Sequence, residues 1–430
     1  MSTPAGISIV NGRLIDPANG LDALLDLHIL DGRVLAVGAA PAGFDPATVI
    51  DATGQVVCPG LIDLAARLRE PGFEYKATIA SETLAASRSG ITTLCCPPDT
   101  DPVIDTPAVV TLIRRRAKQA RRARVLSIGA LTQGLKGEQL SEMAALQAAG
   151  CVALGNAQAP LANTLVERRA LEYAATFGII VFLRPEDRHL RDRGCIHEGQ
   201  VAARLGLPGI PPAAETVAVA RDLALAEHVG AIIHFRGLST ATAVRMVRDA
   251  QAARLPVTAD VSAHQLHLTD HDVLDFDAQC HVTPPFRTLQ DRDALRQAVR
   301  EGTIAAICSD HQPHEPDAKE APFPATLPGI SGLETLLPLT LRLVQDGALD
   351  LPTAIERLTW GPARILNLPY GRLEPGRTAD VCVMDPDAAW TLDRATMASA
   401  GKNTPFAGWE FTGRVTHTVY EGRLVFRLGT

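Results

Sequence analysis

Eight short apolar runs punctuate the middle of the chain: LIDLAA (61–66), ITTLCC (91–96), RVLSIGA (124–130), CVALGN (151–156), IIVFLR (179–184), AIIHFRG (231–237), VTADVSA (257–263) and IAAICSD (304–310). Most are near-continuously apolar, as strands buried on both faces are. Helically spaced stretches such as TPAVVTLIRRRAKQA and AETVAVARDLALAEHV lie between them. Strand followed by helix, repeated eight times, predicts an α/β fold of the TIM type, a (β/α)8 barrel. The two ends read differently. ISIVNGRLID and LDLHILDGRVLAVG near the start, and RTADVCVMDP and THTVYEGRLVF near the end, alternate short strands with NG and DG turns. The expected organisation is a barrel over 58–368 and a small β domain assembled from 1–57 and 369–430.

Composition narrows the function. The chain has 430 residues, 46% hydrophobic and 21% charged, with a formal net charge of -7. Nucleic acid and anionic membranes are therefore not expected partners. No stretch approaches the ~18 apolar residues of a membrane span, and MSTPAGISIVNG lacks a basic region leading into a long apolar run, so a cytoplasmic location is expected. Eight cysteines are scattered without a CxxC pair, mostly in apolar runs, which predicts buried reduced thiols rather than a zinc-thiolate site. The basic run RRRAKQARRAR, Arg114 to Arg124, has helical composition and reads as a solvated helix surface or as a docking face for an acidic partner.

In such a barrel, function sits where strands end. The residues there are Ala65 and Arg67, Pro98 and Asp99, Asn156, Arg184, Gly237, His264 and Asp310. The surrounding segments stand in a recognisable order: CPGLIDL, LREPGFEYKATI, GITTLCCPPDTDPVIDT, IHEGQVAARLGLPGIPPAAE, VTPPFRT, SDHQPH, PGISGLETLLPL and KNTPFAGWEFTGRV. In these motifs the chain resembles the dihydroorotase family of the amidohydrolase superfamily over nearly its whole length. The resemblance implies a metal-bearing barrel with a small β domain. It also implies reversible cyclisation of carbamoyl aspartate to dihydroorotate, with zinc activating a water and polarising the amide.

The positions that hold the metal in the resembling family are altered here. Its first-strand His-x-His becomes Ala65 and Arg67. Its bridging acid on the fourth strand falls at Asn156 and Ala157. Its fifth-strand histidine becomes Arg184, and its sixth-strand histidine becomes Gly237. Only the eighth-strand carboxylate, Asp310, is kept. Alanine and glycine offer no donor atom, and arginine stays protonated and repels a cation. No metal is therefore expected. Substrate recognition by resemblance would use Arg69, which is kept, the position of Asp99, where a carboxylate replaces an amide, the position of Thr283, and His264. The other histidines do not restore a site on this reading: alternation turns His234 towards the helices, and His311 and His314 fall in a loop.

A retained acid among lost ligands needs a cation. The expectation is that Arg67, Arg184 or both enter the vacated space and pair with Asp310. The resemblance then implies a catalytically inactive homologue, with no catalytic residue and Asp310 vestigial. It would need no cofactor, would be a homodimer on the family's pattern, and would partner aspartate carbamoyltransferase as a structural or assembly component. The alternatives are an active zinc dihydroorotase, or related cyclic-amide hydrolase, with rearranged ligands, and a sensor that binds a carboxylate through Arg69. HEPDAKEAPFPATLPG (314–329) reads as a surface loop.

Overall fold

The computed structural model describes residues 6–429. Residues 1–5 and 430 lie outside the described residues, and with them the start of the MSTPAGISIVNG stretch read for a targeting signal. All eight apolar runs form strands: β1 (Leu61–Asp63), β2 (Ile91–Cys96), β3 (Arg124–Ala130), β4 (Ala153–Gly155), β5 (Val181–Leu183), β6 (Ile233–Phe235), β7 (Val257–Ser262) and β8 (Ala306–Cys308). Each pairs in parallel with the next. One main helix follows each strand: α1 (Ile79–Arg88), α2 (Pro107–Ala120), α3 (Met143–Ala149), α4 (Thr164–Thr176), α5 (Ala213–Val229), α6 (Ala241–Ala252), α7 (Leu289–Glu301) and α8 (Leu333–Gln345). Several start on the side-chain caps that the sequence offers, Thr78, Asn163, Thr240 and Thr288 among them.

The seam between β8 and β1 closes just beyond the strands. Ala66 and His311 form a parallel bridge, the Arg67 amide donates to the His311 carbonyl at 2.9 Å, and the His311 amide donates to the Ala65 carbonyl at 2.9 Å. Below it the buried Asp63 carboxylate accepts from the Ser309 amide and hydroxyl. The turn after β1 is held against the turn after β2 by Gly72. Its φ is +100°, and a Cβ there would meet the Asp101 carbonyl oxygen at 2.3 Å, so no side chain fits.

Both chain ends build the extra β domain. A six-stranded sheet runs Arg423–Arg427, Glu410–Tyr420, Val381–Thr391, Val56–Pro59, Arg13–Asp16, Leu21–Leu24. A four-stranded sheet runs Arg33–Val37, Leu27–Leu30, Ile7–Val10, Thr48–Asp51. Ile9, Leu14, Leu27, Val57, Val381, Val383 and Val419 share one core. The eight cysteines are buried free thiols. No helix among the described residues is long and apolar enough to cross a membrane.

Two sequence expectations need correction here. The basic run is not one helix surface. The helix stops at Ala120, and Arg124 opens β3, buried, with Nη1 2.7 Å from Asp380 Oδ2 and its guanidinium 3.6 Å over the Tyr370 ring. The acid that the C-terminal segment supplies draws this cation inward and ties the barrel to the β domain. The 314–329 segment is anchored rather than simply superficial: Phe323 is buried and stacks on His281 at 4.9 Å, and Lys319 Nζ donates to the Ala278 carbonyl at 2.9 Å.

A buried acidic pair between α4 and α5 generates a prediction. Glu167 and Asp222 flank one guanidinium, with Arg221 Nε 3.0 Å from Glu167 and Nη2 2.8 Å from Asp222. Burial first, and the neighbouring carboxylate second, push the Glu167 carboxyl from its ordinary 4.5 up to about 9. The folded state therefore holds a proton that the unfolded chain releases. The resulting stability is full below about 4.5 and drains away as pH rises towards 9. In urea denaturation, Glu167→Gln should gain on the wild type between pH 6 and pH 9, by more than about 1 kcal/mol. Parallel pH profiles would contradict the assignment.

Candidate functional site

The mouth of the barrel is organised around Arg67, which follows β1. The side chain is 4% exposed. Its Nε donates to Asp99 Oδ2 at 2.6 Å and its Nη1 to Asp310 Oδ1 at 3.3 Å. One guanidinium thus joins the turns after β1, β2 and β8. Burial opposes its charge, but Asp99 and Asp310 more than compensate and hold its pKa above the ordinary value. Asp99 feels the converse: burial pushes its carboxyl up, and Arg67 brings it below the usual carboxylate range. Asp310 takes a left-handed φ of 41°, a conformation that Asp tolerates better than most residues. Its second oxygen accepts from Gln312 Nε2 at 3.0 Å.

A second cation reaches the same acid, and it is not the one expected. Arg236 Nη2 lies 3.5 Å from Asp310 Oδ1. Arg184 instead lies against Glu186, Nη2 to Oε2 3.4 Å, and Arg191 meets the other Glu186 oxygen at 3.4 Å. Glu186 is only two residues along the same turn, so it intercepts the guanidinium locally. Of the two arginines expected to pair with Asp310, Arg67 does and Arg184 does not.

His234 also departs from the expectation. Its ring is fully buried inside the barrel, 4.4 Å from the Phe182 ring, with Nε2 3.1 Å from Asp260 Oδ2 and Nδ1 2.8 Å from Thr258 Oγ1. Phe182 itself clusters with Cys95, Ile128 and Ala153 from three other strands and with Ala65 just beyond β1, which places it in the interior. Alternation that includes Gly237 turns His234 outward, yet Gly237 lies beyond β6 at φ +64° and no longer follows the strand. Counted within the strand, His234 and Arg236 share the inward face, and this was the signal that could have found Arg236. Asp260 accepts from His234 on one oxygen and from the Gly237 amide at 2.6 Å on the other. Burial pushes the Asp260 carboxyl up, and the His234 contact carries it lower.

The remaining sequence-selected residues divide into two groups. Thr283, Gly237 and Arg184 line the mouth together with Arg67, Arg236 and Asp310, and the space left among them is about 20 Å³. That is room for about one water, against the ~300 Å³ or more of a small-molecule site. His264 is buried beside them, edge-on to Phe286 at 5.7 Å, and burial lowers its pKa to about 4, so it is neutral at pH 7. The others are turned to structural use. Ala65 lies in the interior apolar cluster. Asn156 accepts from the Thr132 hydroxyl at 3.1 Å and donates to the Ala159 carbonyl at 3.1 Å, and Ala157 beside it is buried at φ 50°. Arg69 donates to the Pro313 carbonyl at 3.0 Å and lies 3.3 Å from His314 Nε2. His311 Nε2 sits 2.8 Å from Glu82 of α1, outside the barrel.

This donor set does not fit a zinc ion. The positions that hold the metal in the resembling family present here a methyl group, two guanidiniums, an amide committed to its own turn, and a glycine. The one retained carboxylate already contacts two arginines and a glutamine. Among the described residues, no group of three or more His, Cys, Asp or Glu side chains is placed to hold a metal.

Comparison with known proteins adds the following. The dihydro-orotase-like family matches residues 54–242, and the amidohydrolase family matches residues 184–425. A protein of Pseudomonas aeruginosa named dihydroorotase-like protein is 52% identical over 418 residues, 97% of this chain and 99% of the relative. One of the same name from Pseudomonas putida is also 52% identical, covering 97% and 98%. A protein of Syntrophotalea carbinolica named dihydroorotase is 46% identical over 422 residues, covering 98% and 99%. Among solved structures, an L-hydantoinase from Arthrobacter aurescens superposes with a TM-score of 0.88 at 23% identity, covering 99% of this chain and 96% of that one, a likeness of fold.

Removing Arg67 strands Asp99 and leaves Asp310 with Arg236 as its remaining cation. Arg67→Ala should lower stability by about 3–5 kcal/mol at pH 7. The loss should shrink at about pH 4, because Asp99, pushed up by burial and no longer held down by Arg67, takes up a proton there. Urea denaturation at both pH values checks this, and a change under about 1 kcal/mol at pH 7, the scale of an exposed pair, would contradict it.

Proposed function

The chain belongs to the dihydroorotase-like family of amidohydrolases, and from that premise we propose that it is a catalytically inactive member, a structural or assembly partner of aspartate carbamoyltransferase in pyrimidine synthesis. The observation that carries the reading is the Arg67 guanidinium lodged between Asp99 and Asp310. Hydrolysis of a cyclic amide needs a nucleophilic water and a Lewis acid at the carbonyl. In this mouth the acid that would manage the proton is neutralised by cations, and the space where a ring would sit is about 20 Å³.

Support also comes from what is preserved. The barrel, the β domain and the anchored 314–329 segment persist around a mouth with altered chemistry. A scaffold kept in this way is suited to binding. The 52% identical relatives carry the name dihydroorotase-like protein, which fits the same reading. We place the protein in the cytoplasm, where its eight buried free thiols are stable, and take a homodimer as the unit that meets the carbamoyltransferase.

Two assays test this. The purified chain, supplied with zinc, should give no dihydroorotate hydrolysis and no carbamoyl aspartate cyclisation above buffer. The carbamoyltransferase of the same cell should co-purify with the chain, and its activity should change when the chain is withheld. Zinc-dependent turnover would overturn inactivity in favour of an active dihydroorotase with rearranged ligands. A carbamoyltransferase that neither binds nor responds would overturn the partnership.

A further inference from the structure

The sequence between Pro107 and Arg124 contains seven basic residues and no acidic one. Two of the seven are accounted for: Arg116 pairs with Glu70 at 3.2 Å, and Arg124 is buried against Asp380. Arg114, Arg115, Lys118 and Arg121 are exposed and Arg122 is half-buried. No acidic side chain lies within ion-pair distance of these five among the described residues. Arg114, Lys118 and Arg121 fall at i, i+4 and i+7, one stripe of the α2 face, where like charges destabilise the helix that carries them. Arg121 adds a further cost. It caps α2 in the left-handed conformation at φ 54°, whereas glycine takes that place after α3, α5 and α7.

We propose that this stripe of α2 is a docking surface for an acidic protein face, and that it is where the carbamoyltransferase partner of the preceding section engages; the identity of the partner rests on that reading. The helix spans ~21 Å, enough for several charge pairs. A nucleic acid is disfavoured by the overall charge of -7. It is also disfavoured by the make-up of the surface, which is lined by Thr111, Arg114, Arg115, Lys118, Gln119 and Arg121 without an aromatic side chain for bases to stack on. Because α2 follows β2 and runs back from the mouth, its basic C-terminal half lies towards the opposite end of the barrel. A partner bound there leaves the Arg67 network untouched, so assembly and the altered mouth are separate properties.

The test is the affinity of the purified chain for the aspartate carbamoyltransferase of the same cell, measured for three proteins at low and at raised salt. These are the wild type, the reversal R114E/K118E/R121E, and a control reversal R169E/R204E/R245E that makes the same charge change on α4, on the short helix Gln200–Leu205 and on α6. The first reversal should weaken binding at least tenfold, with the gap closing as salt rises, while the control binds like the wild type. If the α2 reversal does not fold, R114Q/K118Q/R121Q replaces it, with a smaller loss in the same direction. Wild-type affinity in the α2 variants, or an equal loss in the control, would overturn the surface while leaving the partnership standing. A wild-type chain that does not bind at all would overturn both.

Discussion

A single guanidinium decides what this barrel mouth can be. Arg67 leaves β1 where a metal ligand would be expected and bonds to two carboxylates, one on the turn after β2 and one after β8. A buried acid and a half-buried one facing each other without a cation would be costly. In the resembling family an amide stands at the Asp99 position and a metal faces the eighth-strand acid; here one guanidinium meets both carboxylates. Once the guanidinium is in place, a divalent cation gains no further ligand by entering and would meet the charge of Arg67, Arg184 and Arg236.

The same residue works structurally. The β8–β1 seam closes through the Asp63–Ser309 hydrogen bonds, the Ala66–His311 bridge and the Arg67–Asp310 ion pair, stacked from the interior to the mouth. Arginine at this position therefore holds the mouth together and sets a positive charge beside Asp310. The neighbouring groups follow the same logic. Asn156 secures its own turn, Arg69 ties the first turn to the last, and Glu186 takes up Arg184. These polar groups are satisfied by the protein itself.

Much of this was legible in the sequence because strand periodicity and strand ends are local properties. The eight apolar runs gave eight strands, and the presence of Arg67 opposite a kept acid pointed to their pairing. What was not legible depended on geometry beyond a strand. Arg236 escaped notice, and His234 was turned the wrong way, because Gly237 breaks the alternation with a positive φ. Arg184 stands in the sequence as an equal candidate for Asp310 because nothing in the linear pattern ranks a distant acid below Glu186 two residues away. Arg124 looked like part of a charged helix because its partner, Asp380, lies more than 250 residues further on.

The most direct measurement is anomalous scattering at the zinc edge from crystals of the wild-type protein grown with zinc. The account predicts no peak within bonding distance of Asp310 and density for the Arg67 guanidinium against both Asp99 and Asp310. A zinc peak bonded to Asp310, with Arg67 displaced, would contradict it.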